Sequence, residues 1–265
     1  MERISGLVFL IAFALLSCEK VIELPLNEAP QQIVIEAVIK DGPGNNYVKL
    51  SKSGTVYTDS EFDKIEDATI SVSDNLGNIY EFAYQEDGVY HSDELTVEPG
   101  VVYQLLVMAE GQSYSAVCQT KSKPKIDSLT YAVISGQFGI PITDTVNLIS
   151  FHSVDNVSEK NFYWIRIFRN GEVNAGYYLG NDAFINGSYY EAQFFGAEAK
   201  NGDTVFVEMI SMDEANYNYF IGLSNALTTG PFAVAPANPP SNISNNALGF
   251  FGAYSTDTLS IIIPN

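Results

Sequence analysis

The chain has 265 residues, with 13 Lys and Arg against 32 Asp and Glu and a formal net charge of −19. A surface this acidic repels nucleic acid and anionic lipid headgroups, so neither is an expected partner through charge. The length leaves room for one large or two medium domains, and with cysteine only at Cys18 and Cys118 there is no framework of several disulfides and no cysteine metal cluster.

The first element is the apolar run from Ile4 to Leu16, which follows Arg3 without interruption. It has the length of a signal-peptide core and falls short of the roughly 20 apolar residues of a membrane span. Leu15-Leu16-Ser17 leads directly into Cys18, an arrangement that resembles the bacterial lipobox, whose cysteine is lipidated and becomes the first mature residue. Residues 1–17 therefore read as a lipoprotein signal peptide and Cys18 as the lipidation site, held by several acyl chains. Residues 18–30, with Pro25 and Pro30 and no periodicity, read as a tether.

From Gln31 the pattern changes to period two. Strands are predicted at 31–39, 47–51, 68–73, 79–84, 101–109 and 113–120, separated by turn chemistry at Asp41-Gly42-Pro43-Gly44, Asp74 to Asn78, Glu98-Pro99-Gly100 and Glu110-Gly111. This density of short strands predicts an immunoglobulin-like sandwich over 31–122, with Cys118 a buried small hydrophobe. Lys121-Ser122-Lys123-Pro124-Lys125 marks a domain boundary, and a second β-rich domain is predicted over 126–265. Its strands fall at 145–151, 161–169, 203–211 and 258–263. One helix near 212–228 interrupts them, read from the Ser211-x-x-Glu214 spacing of a capping box and from Met212, Ala215, Tyr219, Phe220, Leu223 and Leu227 at helical intervals. The expected fold class is all-β, with two immunoglobulin-like or related β-sandwich domains, the second carrying one inserted α-helix.

Catalytic signals are sparse. His91 and His152 are the only histidines, and Asp144, Ser150, Ser153 and Asp155 near His152 are residue types common enough to be there without forming a triad. There is no nucleophile elbow, phosphate loop or zinc-ligand spacing, so no catalytic residue, metal or cofactor is assigned and the chain does not read as an enzyme. The carboxylate-rich stretch Asp59 to Asp67 and the Asp74 turn read as a solvated loop and a hairpin, because neither has the ligand spacing of a calcium loop. The doublets Tyr177-Tyr178, Tyr189-Tyr190 and Phe194-Phe195 place one ring on each face of any strand that carries them.

The closing segment is the most informative. A loop with Pro231, Pro236, Pro239 and Pro240 leads into a glycine-punctuated aromatic strand, a length that points to function. Gly249 and Gly252 permit close backbone approach, and Phe250 and Phe251 must point to opposite sides, one to a core and one to an interface. Asn242, Asn245, Gly249, Phe250 and Phe251 are the candidate partner-binding residues. This segment, closing in "SNISNNALGFFGAYS", together with "LPLNEAPQQIVIEAVI", "DGPG", "YVKLS", "NFYWIRIFRNG" and the lipobox, resembles the Bacteroidota domain-of-unknown-function family 4249. Many relatives carry Asn-Gly at Asn245-Asn246, an exchange that asparagine's tolerance of positive φ makes mild. The resemblance implies an envelope lipoprotein encoded beside TonB-dependent transporters, with no catalytic residue to carry over. The expected protein is a lipid-anchored, non-catalytic accessory of such a transporter on the outer membrane, at the cell surface, serving as ligand capture or lid. Its implied partners are the membrane through the lipid, the transporter barrel, and an unknown small ligand, peptide or glycan. An independent surface adhesin for glycan or protein is the alternative, and a periplasmic structural protein needs only the same anchor. Separately, Ser128, Thr145, Thr204 and Thr258 each follow an aspartate and precede an apolar residue, which resembles the O-glycosylation pattern of exported Bacteroidota proteins.

Overall fold

The computed structural model describes residues 30–42, 46–54, 62–136, 145–174, 176–228 and 237–265. Cys18, the signal peptide and most of the tether lie outside them, as do Asp144 and residues 229–236 of the proline-rich loop. Among the described residues no helix is long and apolar enough to cross a membrane.

The first half contains β1 (Ile33–Lys40), β2 (Tyr47–Lys52), β3 (Thr69–Asp74), β4 (Ile79–Glu86), β5 (Val89–His91), β6 (Val102–Ala109) and β7 (Gln112–Gln119). Period-two patterning explains how they pack. Along β1, Ile33, Ile35, Ala37 and Ile39 are buried in a core that also takes Val48, Leu50, Val72, Leu105 and Val107, while Val34, Glu36, Val38 and Lys40 lie on the opposite face. Glu110 and Gly111, both at positive φ, close the β6/β7 hairpin as a tight two-residue turn.

The second half contains β8 (Ser128–Ile134), β9 (Val146–Val154), β10 (Phe162–Arg169), β11 (Glu172–Val173), β12 (Tyr178–Asn181), β13 (Tyr189–Gln193), β14 (Thr204–Met212), α1 (Glu214–Leu227) and β15 (Leu248–Ile262). β13, β9 and β8 form a small sheet. Ile149, Phe151 and Phe194 from that side meet Ile165, Ile167, Val205, Val207 and Met209 from β10 and β14 in a second core. The other face of β10 and β14 carries Phe162, Ile210 and Met212, which pack with Phe220 of α1 in a third cluster.

β15 joins the two halves. Leu248 to Tyr254 pair in parallel with Val34 to Lys40 of β1, and Ser255 to Ile262 then pair antiparallel with β14. A single twelve-stranded sheet results, in the order β11-β10-β14-β15-β1-β2-β5-β4-β3-β6-β7, with β12 on β10. The first core draws on the chain up to Cys118 and the second begins at Ile126, but Ile243, Ala247, Phe251 and Ala253 return to the first core. The fold is all-β and sandwich-like with one helix.

Two details differ from the sequence expectation. The helix is capped by Asp213, whose Oδ1 accepts the Asn216 N–H at 2.9 Å, and not by Ser211, which is still paired with Ser255 inside β14. Strand pairing holds Ser211 and Met212 extended, so the helix starts two residues later than the capping box implies. The short strands β5, β8, β11, β12 and β13 were not marked by the alternation; β8 is exposed at most of its positions and β11 has only two residues.

Candidate functional site

The outward face of β1 forms one wall of a groove where the two halves meet. Glu36, Val38 and Lys40 alternate along that face, and Tyr47 of β2, opposite Val38, extends it. Beside them on β15 stand Phe250 and Tyr254, paired with Glu36 and Lys40, and the rest of the lining is Trp164 and Arg166 of β10, Ile210 of β14, Tyr219, Phe220 and Leu223 of α1, and Tyr177. The groove has a volume of about 490 Å³, within the range of small-ligand sites. α1 covers only one end of this sheet face, which is why a groove remains beside it.

Its floor is charged. Glu208 of β14, with a side chain only 7% exposed, accepts from Lys40 Nζ on one carboxylate oxygen and from Arg166 Nη1 on the other at 3.2 Å. One carboxylate thereby fixes a cation from each half of the chain. The Arg166 guanidinium also lies 5.0 Å from the Phe168 ring centroid and 5.5 Å from that of Trp164, which favours a cation over the ring faces. Among the described residues, Glu36 has no ion-pair partner.

The aromatic wall is built round Trp164, the sole tryptophan. Its ring stacks on Tyr177 at 5.7 Å and meets Phe220 at 4.8 Å, while Phe250 lies 5.0 Å from Phe220 and 4.8 Å from Tyr219. Among the described residues the Trp164 indole N–H, enclosed by its neighbours, has no hydrogen-bond acceptor, an uncommon state for a buried donor. Burial, and then the Glu36 charge, push the Tyr219 phenol up to about 12. Burial and Glu36 also raise the Tyr47 phenol against the opposing effect of Arg166. Both hydroxyls are donors at neutral pH. On the far side of Tyr177 a second, more apolar cavity of about 420 Å³ opens between β12 and β13, lined by Phe151, Leu179, Ile185 and Phe194.

Among the described residues, which leave out Asp144, the neighbours of His152 form no triad. His152 engages the Thr130 hydroxyl at 2.7 Å and the Tyr189 hydroxyl at 2.5 Å, Ser153 donates to the Lys125 carbonyl, and Asp155 accepts from Tyr163 and Gly187. Asp74 accepts from the backbone of Leu76 and Asn78 in a closed turn, and among the described residues no group of three or more His, Cys, Asp or Glu is placed to hold a metal ion. Each aromatic doublet splits, although only Tyr189-Tyr190 lies wholly within a strand: Tyr178, Tyr190 and Phe194 pack into the second core, while Tyr177 faces the groove and Tyr189 and Phe195 are exposed. Ser128, Thr145, Thr204 and Thr258 are all exposed.

The family model described as Domain of unknown function (DUF4249) matches residues 19–260. The chain belongs to this family. A search of curated proteins gives no match.

In this DUF4249 chain the closing segment corrects the partner-binding expectation. Asn242 spends both ends of its amide on the Phe251 backbone, donating to its carbonyl at 2.8 Å and accepting its N–H at 2.9 Å. Asn245 donates to the Ser113 carbonyl at 2.7 Å, while the Ser244 N–H donates to the Ser115 carbonyl, so the turn covers the edge of β7. Asn245 and Asn246 both have positive φ, a conformation that asparagine tolerates. Gly249, also at positive φ, leaves space for the Ile35 carbonyl of β1, and Gly252 for the Tyr254 ring and Asn216. The close approach is therefore by the chain itself. Phe251 is wholly buried in the first core and Phe250 in the third cluster, so neither ring is an exposed anchor. Of the five candidates, only Phe250 lines the groove. Alternation did not mark Glu36, Lys40, Trp164 or Arg166 as a set, although each lies on the outward phase of its strand.

Proposed function

We propose that the protein is a lipid-anchored, non-catalytic accessory of a TonB-dependent outer-membrane transporter, and that the groove around Trp164 captures the ligand to be delivered. The observation that carries this reading is the groove itself, lined by aromatic side chains and by two cations, Lys40 and Arg166, that Glu208 already holds in place. Such a site is preorganised to receive acceptor atoms, and preorganisation reduces the ordering cost of binding. The lipobox ahead of the fold and the resemblance to envelope lipoproteins supply the anchor and the transporter.

The test is recovery of the full chain through a C-terminal tag from its own membranes. The reading predicts a barrel of the transporter class in the eluate. Recovery of a cell-surface glycan or protein with no barrel would contradict it and favour an independent adhesin.

A further inference from the structure

The groove has opposite charge at its two ends, and this narrows the ligand. Glu36 and Lys40 share the outward face of β1 four residues apart, which at a rise of about 3.3 Å per residue separates them by roughly 13 Å. Lys40 and Arg166 share the single carboxylate of Glu208, so that end keeps an excess positive charge. Glu36 is half-buried and has no ion-pair partner among the described residues, so its end keeps a negative one. Between them the surfaces are apolar or aromatic: Val38 and Phe250 on the paired strands β1 and β15, Phe220 and Leu223 on α1.

We infer that the captured ligand is a short peptide of about three or four residues, with free termini and apolar side chains. This rests on the capture reading above. An extended chain advances about 3.3–3.6 Å per residue, so three or four residues bring an ammonium group to Glu36 and a carboxylate to Lys40 and Arg166. The Tyr47 hydroxyl on the groove lining is then a donor for a peptide carbonyl, and the aromatic wall takes the side chains. A glycan fits less well, because the Trp164 ring already stacks on Tyr177 and carries Arg166 over it, leaving little open face for a sugar. On a chain of net charge −19, a free carboxylate is attracted only where cations are held together in this way.

The experiment is a titration of the full chain in detergent, followed by Trp164 emission, with trileucine, N-acetyl-trileucine, trileucine amide and maltotriose. Trileucine should give a saturable change, either cap should weaken binding by about tenfold or more, and maltotriose should be silent. Glu36→Gln should make free and acetylated trileucine bind alike while amidation still weakens binding. Binding indifferent to both caps, binding of maltotriose with trileucine silent, or silence toward every peptide would each overturn the assignment. Silent peptides with the barrel still recovered would refute the peptide and leave the capture reading standing. Peptide binding without the barrel would do the reverse.

Discussion

Phe250 and Phe251 show how far the residue scale can be read. Alternation dictates that they point to opposite faces, and they do, one into the first core and one into the cluster under α1. It does not reveal that both faces are covered, because the cover comes from residues distant in sequence. Phe251→Ala should destabilise the fold by about 3–5 kcal/mol, and Phe250→Ala by about 2 kcal/mol, because Phe250 borders the groove and its loss leaves an open space and no sealed cavity. Denaturant midpoints of the two variants check this, and equal losses would place Phe250 away from the groove. Tyrosine ionisation gives a second prediction at this scale. Tyr219 is pushed up to about 12, and Tyr47 and Tyr254 are also raised, chiefly by burial. The fold therefore favours the neutral phenols: their contribution is complete below the unfolded pKa of about 10 and is lost as pH rises toward about 12. Denaturation at about pH 8 and about pH 11 should show the loss, and Tyr219→Phe should reduce it.

At the scale of elements, the long alternating runs were legible and the brief ones were not. β1, β6 and β7 each bury one face, and β10 and β14 alternate over part of their length and are covered on both faces over the rest, so their composition carries the period. β12 and β13 have no fully buried position, so the same signal is faint. The helix was legible from its spacing, but its cap was not. Ser211 has the spacing of a capping residue, yet strand pairing claims it and the cap passes to Asp213. Asp213→Ala should cost about 1 kcal/mol in stability. Because α1 supplies Tyr219, Phe220 and Leu223 to the groove wall, fraying of its first turn should also shift Trp164 emission toward that of a more hydrated indole.

At the scale of the whole molecule, the lysine and proline cluster at 121–125 falls between Cys118 of the first core and Ile126 of the second, but β15 returns to the first core. The parallel pairing of β1 with β15 was not legible, since alternation fixes which face of a strand is buried and says nothing of its neighbour. The groove depends on that pairing. It brings Lys40 to Glu208 and sets Glu36 facing Tyr219, and no local motif could have announced such a site. The anchor, by contrast, is a local motif. Cys18→Ala should abolish labelling by a palmitate analogue and release the protein from membranes, and unlabelled protein that stayed membrane-bound would refute lipidation.

The central claim is that this groove holds the ligand in the working cell. A photoreactive residue placed at Tyr47, inside the groove, and in a second strain at Tyr131, on the exposed strand β8, tests it most directly. Intact mass of the full chain after illumination of growing cells should show a discrete small-molecule adduct from the Tyr47 position and none from Tyr131. Equal adducts at both positions, or none at Tyr47, would contradict the account.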